Sequence, residues 1–218
     1  YKNNLIILKN LIKQTLPNSI IDFCAISSFN DFSNYEDVIQ LKYKVINSKK
    51  QLNKTCDFIT DYKSYLNYDW YIKFRPDFKL LEPINFNLLV KSSINARARV
   101  YIGPKKIVNG SVVGGKGKWN MLKHYKFSIN EERVILDDAI WIFDHNVINK
   151  GAFDKINSKF PEKKSCEYFT GYKCTFEELH EPELKYSELW KSKNIRLNVI
   201  GINILNEKHN TLSGNINI

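Results

Sequence analysis

Acidic side chains in two separate segments have the chemistry of a catalytic or metal-binding site. Asp77 closes the segment YDWYIKFRPD, and Asp137 and Asp138 form an adjacent pair in LDDAIW. Carboxylates coordinate divalent cations and accept protons from attacking hydroxyl groups. Each of these acidic segments also has an explanation without a functional role. Asp is a common turn residue, and an acidic pair at the start of a strand is often simply exposed to solvent.

The segment before Asp77 has the pattern of a strand that stops at a defined point. Apolar and polar side chains alternate from Trp70 to Arg75, with the aromatic enrichment typical of β-structure. Pro76 cannot donate to a sheet, so the ladder ends there and Asp77 follows the carboxyl end of the strand. In open α/β sheets that edge is where ligands bind.

The acidic pair lies at the entrance of a second predicted strand, which runs from Ala139 to Phe143. Adjacent side chains in a strand point to opposite faces, so at most one of the two carboxylates faces a shared site. We expect Asp138 to be that residue, with Asp137 second.

Glycines are concentrated in the segment IVNGSVVGGKGKW. Asn109-Gly110 is typical of a two-residue hairpin turn. Gly114, Gly115 and Gly117 follow, and this density indicates backbone that bends sharply or lies against a flat ligand. The segment is not a phosphate-binding P-loop, because Gly-x-x-x-x-Gly-Lys-Ser/Thr is absent.

The remaining sequence alternates between helical and extended patterns, which predicts one α/β domain over residues 1–218. The predicted elements are a helix from Leu5 to Leu16 ended by Pro17, a strand over 20–26, a helix opened by Ser33 and running through Leu41, a helix over 56–66, a strand over 98–104, helices opened by Asp144 and Thr175, and a strand over 195–205. A helix that leads into a buried strand suggests a βαβ order whose first strand precedes Tyr1.

Composition limits the class of partner. A net charge of +10 indicates an anionic one: nucleic acid, an anionic membrane surface or a phosphorylated small molecule. The lysines are scattered without a nucleic-acid-binding signature, so nucleic acid is not expected. No apolar run approaches the roughly 20 residues that cross a bilayer, and the four cysteines lack zinc-type spacing. We therefore expect a soluble, cytoplasmic protein with reduced thiols.

The segment YDWYIKFRPD resembles the strand that delivers the metal-binding aspartate in small nucleotide-sugar-dependent glycosyltransferases of the GT-A fold. In those enzymes Asp-x-Asp, or a reduced form such as Arg-Pro-Asp, occupies this place. The resemblance implies that Asp77 holds a divalent ion, manganese or magnesium, on the donor's diphosphate. Arg75 stands where the full motif has its first acid, which leaves the metal requirement open, since a guanidinium can neutralise phosphate directly.

Later segments resemble the same enzymes in the same order along the chain. The glycine-rich stretch matches a loop that lies against the donor sugar, and Asp137 and Asp138 match the acidic pair that contacts the acceptor and supplies the base in inverting members. The resemblance also implies acceptor contact at Glu183 and a metal-ligating histidine at His209. His145, at a predicted helix entrance, is a further candidate for acceptor binding. Glutamate in a first helical turn and histidine in a polar segment also occur without such roles.

Together these matches imply a GT-A-like, Rossmann-type mixed sheet flanked by helices in a single domain. Such an enzyme moves a sugar from a nucleotide diphosphate sugar to a hydroxyl acceptor, a glycan or another molecule, with metal assistance at Asp77 and with Asp138 as the base. Two alternatives stay open. One is a nucleotidyltransferase or other nucleotide-processing α/β enzyme, and the other is a non-catalytic module that binds polyanions.

Overall fold

A computed structural model describes residues 2–27, 35, 41–46, 51–62, 67–102, 105–108, 111–114, 118–122, 124–125, 134–154, 186, 189–190, 192–206 and 211–213. Its helices are α1 (Lys2–Thr15), α2 (Gln51–Tyr62) and α3 (His145–Asn149), and a 3-10 turn covers Phe86–Leu88. Its strands are β1 (Phe23–Ser27), β2 (Leu41–Ile46), β3 (Tyr71–Phe74), β4 (Phe78–Leu80), β5 (Ser93–Ile102), β6 (Lys105–Val108), β7 (Ser111–Gly114), β8 (Lys118–Leu122), β9 (His124–Tyr125), β10 (Val134–Phe143), β11 (Arg196–Ile200), β12 (Ile204–Asn206) and β13 (Thr211–Ser213). None of the helices in these ranges has the length and apolarity needed to cross a membrane.

The central sheet has the strand order β3-β10-β5-β11-β9 within the described residues. Strand β5 is long enough to pair with β11 through residues 93–96 and with β8 through residues 98–102. The β5–β11 pair is parallel, and the other pairs in this sheet are antiparallel. The protein is therefore a mixed α/β protein built on a mixed sheet, as the sequence predicts at this level.

Alternate residues of β10 divide the core into two clusters. Trp141 and Phe143 pack into one, and Ile140 and Ile142 pack into the other, as the two-residue period of a strand requires. The first cluster includes Cys56, Phe58 and Ile59 of α2, and the second includes Leu8 and Ile12 of α1. The sheet is thus covered by a helix on each face.

Helix α1 follows directly from its sequence pattern. Asn4, Leu8 and Ile12 are buried at four-residue intervals, which places them on one face. The helix ends two residues before Pro17, whose ring cannot continue it. The Asn4 amide donates a 3.0 Å hydrogen bond to the carbonyl of Pro76, so α1 is tied to the turn that follows β3.

Three small sheets lie beside the central one. Strands β1 and β2 pair in parallel, β4, β12 and β13 form an antiparallel sheet, and β6 and β7 form a hairpin. In the hairpin Val108 is opposite Ser111, which confirms the hairpin predicted around Asn109-Gly110. Those two residues themselves lie outside the described ranges.

Four sequence predictions of element boundaries were wrong. The helix opened by Asp144 is predicted to run through Phe153 and Ile156, but α3 ends at Asn149, and Ile156 lies outside the described residues. Leu41 begins strand β2 and does not continue a helix, since Leu-Lys-Tyr-Lys-Val-Ile alternates like a strand. The predicted strand over 195–205 is split near Gly201 into β11 and β12, which belong to different sheets. The predicted strand over 20–26 begins only at Phe23, and Ile20 is 88% exposed.

Candidate functional site

The turn after β3 places an arginine and an aspartate side by side. Strand β3 ends at Phe74, and the Arg75 amide still donates to the Ala139 carbonyl of β10 at 2.9 Å. The Phe78 amide then donates to the Arg75 carbonyl at 3.1 Å, which closes a turn around Asp77. Asp77 therefore follows the carboxyl end of the strand, as the sequence predicts.

The Arg75 guanidinium bridges two carboxylates. Its Nε and Nη2 donate to the two oxygens of Asp77 at 3.1 and 2.8 Å, and its Nη1 donates to Oδ1 of Asp138 at 2.9 Å. Three of its five N–H donors are used in these contacts. The Arg75 side chain is 41% exposed, so part of it lies at the surface of the protein.

Asp138 lies inside strand β10 and not at its entrance, which corrects the sequence prediction. Leu136 is paired with Ala98 of β5, and Trp141 is paired with Ala96. Between these two pairs, the four residues 137–140 of β10 are opposite a single residue of β5, Arg97. This is a bulge, and bulges re-aim side chains and often lie next to active sites. Its effect here is to bring the Asp138 carboxylate to the end of β3.

Lys73, on β3 two residues before Arg75, completes the cluster. Its Nζ donates to the backbone carbonyl of Asp138 and lies 3.9 Å from Oδ2 of the same residue. The side chain is only 10% exposed and crosses the ring of Trp141, with 5.0 Å from Nζ to the ring centroid. Sequence analysis missed this residue, although its two-residue spacing from Arg75 on a strand puts both on one face.

The charges of the cluster stabilise one another. Burial lowers the pKa of Arg75, but the hydrogen bond with Asp77 and the negative charges of Asp138 and Asp77 outweigh it, so the pKa lies above its ordinary value. Arg75 is therefore a permanent cation. Two basic and two acidic side chains (Lys73, Arg75, Asp77 and Asp138) then face one another with no formal net charge.

Arg75 occupies the position between the acids that a divalent ion would need. Both oxygens of Asp77 and one oxygen of Asp138 already accept hydrogen bonds from it. A divalent ion needs carboxylate oxygens at about 2.0–2.6 Å, so it would have to displace the guanidinium. Within the described ranges no three His, Cys, Asp or Glu side chains are grouped to hold a metal. In this arrangement the guanidinium occupies both oxygens of Asp77, and a metal at Asp77 and His209 stays a prediction.

The structure places His145 far from Asp77 and Asp138. His145 begins α3, beyond the far end of β10, roughly 20 Å along the strand from Asp138. Gly114 ends β7 and pairs with Lys105 in the hairpin. Gly115, Gly117, Glu183, His209 and the side chain of Asp137 lie outside the described residues, so their predicted roles stay predictions.

A second polar cluster, which the sequence did not predict, surrounds the amino end of β3. The Tyr71 hydroxyl accepts from the Tyr68 amide at 3.2 Å and lies 3.1 Å from Nδ1 of His145. Burial raises the pKa of Tyr71 above its ordinary value. The Tyr68 hydroxyl contacts Asp22, and Lys42 donates to both, at 2.7 Å to Asp22 and 2.9 Å to Tyr68. This cluster ties β1 and β2 to β3.

Comparison of the chain with protein-family models, with curated proteins and with solved structures finds no match. The described residues define a mixed α/β protein in which one arginine bridges two aspartates at the end of a sheet strand.

Proposed function

We propose that this chain is a glycosyltransferase that moves a sugar from a nucleotide diphosphate sugar to a hydroxyl acceptor. One observation carries the proposal: Asp77 and Asp138 meet on a single guanidinium at the carboxyl end of β3. Arg75 and Asp138 are 63 residues apart in sequence. The order of motifs, with an Arg-Pro-Asp strand end before an acidic pair, is that of the enzymes the sequence resembles.

Asp138 has the position and exposure of a general base in this proposal. Its Oδ1 is held by Arg75, while its Oδ2 lies 3.9 Å from Lys73, and the side chain is 24% exposed. A carboxylate oxygen in this state can accept the proton of an acceptor hydroxyl as that hydroxyl attacks the anomeric carbon. The bond from that carbon to the diphosphate oxygen breaks as the new glycosidic bond forms.

Arg75 supplies the positive charge for the departing diphosphate. The guanidinium has two further N–H donors that these contacts do not use, and Asp77 fixes its orientation. Preorganised donors of this kind stabilise charge that develops in the transition state. The net charge of +10 also favours the approach of an anionic donor.

The test measures nucleoside diphosphate released from a panel of donors: UDP-glucose, UDP-N-acetylglucosamine, GDP-mannose and GDP-fucose, each with water or a simple glycoside as acceptor. We expect release from at least one donor, and a fall of at least about 100-fold in Asp138→Asn. Asp61→Asn, an exposed acid on α2, is the matched control and should keep full activity. Full activity in Asp138→Asn would overturn the assignment.

The same assay distinguishes the alternatives. A nucleotidyltransferase would release pyrophosphate from a nucleoside triphosphate, so parallel reactions with UTP and GTP identify it. A polyanion-binding module, which the net charge of +10 favours, would turn over no donor and would lose its affinity for nucleic acid steeply with added salt.

A further inference from the structure

The bulge in β10 removes part of the backbone from its regular pairing with β5. Residues 137–140 have only Arg97 opposite them, so their amides and carbonyls cannot all pair with β5. Buried backbone polar groups need partners, and an unpaired one costs about as much as a lost hydrogen bond. Something other than the β5 ladder must therefore hold this stretch.

Strand β3 provides two of those partners. The Arg75 amide donates to the Ala139 carbonyl at 2.9 Å, and the Lys73 ammonium donates to the Asp138 carbonyl. Lys73 is directly opposite Trp141 in the β3–β10 register, so its side chain crosses that ring and reaches three residues back along β10. The bulge is thus held from β3 on the side away from β5.

Arg75 and Lys73 contact different parts of Asp138. Arg75 holds the carboxylate through Oδ1, and Lys73 holds the backbone of the same residue. A side chain keeps its direction only if its own backbone is fixed, and a shift of about 1 Å can cost about 100-fold in rate. Lys73 is largely buried, so water is a poor substitute for its ammonium at that carbonyl.

We propose that Lys73 is a positioning residue that sets the direction of the Asp138 carboxylate by clamping the β10 bulge. The proposal rests on the proposed function for its kinetic consequence, but its structural consequence stands without it. Lys73 does not itself meet the donor, because its ammonium is engaged with Asp138. Its removal should therefore affect the chemical step more than donor binding.

The variant Lys73→Met removes the ammonium and keeps a long apolar stem over the Trp141 ring. We expect kcat for nucleoside diphosphate release to fall about 10- to 100-fold while KM changes less than about 3-fold. Lys73→Arg, which keeps a donor for the Asp138 carbonyl, should restore most of kcat. Equal kcat in wild type and Lys73→Met, or a loss that appears only in KM, would overturn the proposal.

Lys91 offers a control that makes the same kinds of contact at an exposed position. Its Nζ lies 4.1 Å from the centroid of the Trp70 ring and donates to the backbone carbonyl of Asp69 at 2.8 Å, so it makes the same two kinds of contact away from Asp138. Lys91→Met should leave kcat within about 2-fold of wild type. A comparable loss in both variants would mean that the contact with Asp138 is not what matters, and it would overturn the positioning role of Lys73.

Amide hydrogen exchange separates failure of this proposal from failure of the proposed function. In the protein without substrate, Lys73→Met should exchange faster than wild type over residues 137–140, and Lys73→Arg and Lys91→Met should not. If no donor is turned over but this exchange pattern is seen, the glycosyltransferase assignment fails, while the proposal that Lys73 fixes the β10 bulge is supported. Unchanged exchange over residues 137–140 in Lys73→Met would contradict the proposal that Lys73 fixes the β10 bulge, whether or not the protein is active.

Discussion

Arg75 binds Asp77 through two hydrogen bonds, from Nε to Oδ1 at 3.1 Å and from Nη2 to Oδ2 at 2.8 Å. The two residues are separated only by Pro76, whose ring fixes one backbone torsion between them. The pair is therefore assembled locally and costs little chain entropy. Only the third contact, from Nη1 to Asp138, requires the tertiary fold.

Replacing Arg75 with lysine should destabilise the protein although the charge is kept. An ammonium cannot reproduce three hydrogen bonds in the plane of a guanidinium, so Asp77 and Asp138 are left with fewer partners. Because the site is partly exposed, we expect a loss of about 1–2 kcal/mol in urea unfolding. Arg196→Lys, at an exposed position of β11, should change stability by less than about 0.5 kcal/mol. Equal unfolding midpoints for the two variants would contradict this account.

Asn95 is a buried polar residue in the central sheet with several hydrogen bonds. Replacing it with alanine should destabilise the protein more than replacing most other polar residues. Its buried amide donates to the carbonyls of Val90 and Ile142 at 3.1 and 3.0 Å, and its Oδ1 accepts from the Val90 amide and from Asn198 at 2.8 and 2.7 Å. Asn95→Ala leaves these groups without partners, so we expect about 3 kcal/mol of lost stability. The exposed Asn87→Ala is the control in the same denaturation series, and similar losses in both would show that the network is unimportant.

Asp144 joins the end of β10 to the start of α3 and to the loop before β5. It is buried, its Oδ1 accepts from the Val147 amide at 3.3 Å, and its Oδ2 accepts from the Ser92 amide at 2.9 Å. Removal of an N-cap costs up to about 2 kcal/mol, and here a second buried donor is also left unpaired. Asp144→Ala should therefore cost about 2–3 kcal/mol by thermal or urea unfolding. The exposed Asp61→Ala should cost almost nothing, and parity between them would refute the capping role.

The sequence predicts the features that depend on neighbouring residues. The end of α1 near Pro17, the end of β3 before Pro76, the hairpin around Asn109-Gly110 and the cap at Asp144 all follow from local rules of backbone geometry.

Features that depend on pairing between distant strands were not predictable in this way. The bulge in β10 arises from a register shift against β5, a strand about 40 residues earlier, and a two-residue period carries no information about it. The sequence predicts Asp138 ahead of Asp137 as the site residue, but the contacts of Asp138 with Arg75 and Lys73 depend on that register shift. The split at Gly201 likewise reflects a change of sheet and not a change of local pattern.

Cys56 should make stability fall in alkaline solution. Burial raises the pKa of its thiol from 9.0 to about 12, against smaller lowering effects from Tyr186 and Lys73. The native state therefore binds more protons than the unfolded state between pH 9 and 12, so this contribution is complete below pH 9 and is lost as pH rises through that range. Urea midpoints measured from pH 8 to 10.5 should fall less steeply for Cys56→Ala than for wild type, and identical slopes would contradict the burial of a neutral thiol.

We expect Arg75, fixed by Asp77, to bind the diphosphate of a nucleotide donor without a divalent ion. Calorimetric titration of UDP and GDP into the protein in EDTA tests it most directly, with wild type, Arg75→Met and Arg196→Met compared after each is shown to be folded. Wild type and Arg196→Met should bind at least one of the two nucleotides, and Arg75→Met should bind it at least about 10-fold more weakly. Absence of binding in EDTA, or equal affinity in all three proteins, would contradict it.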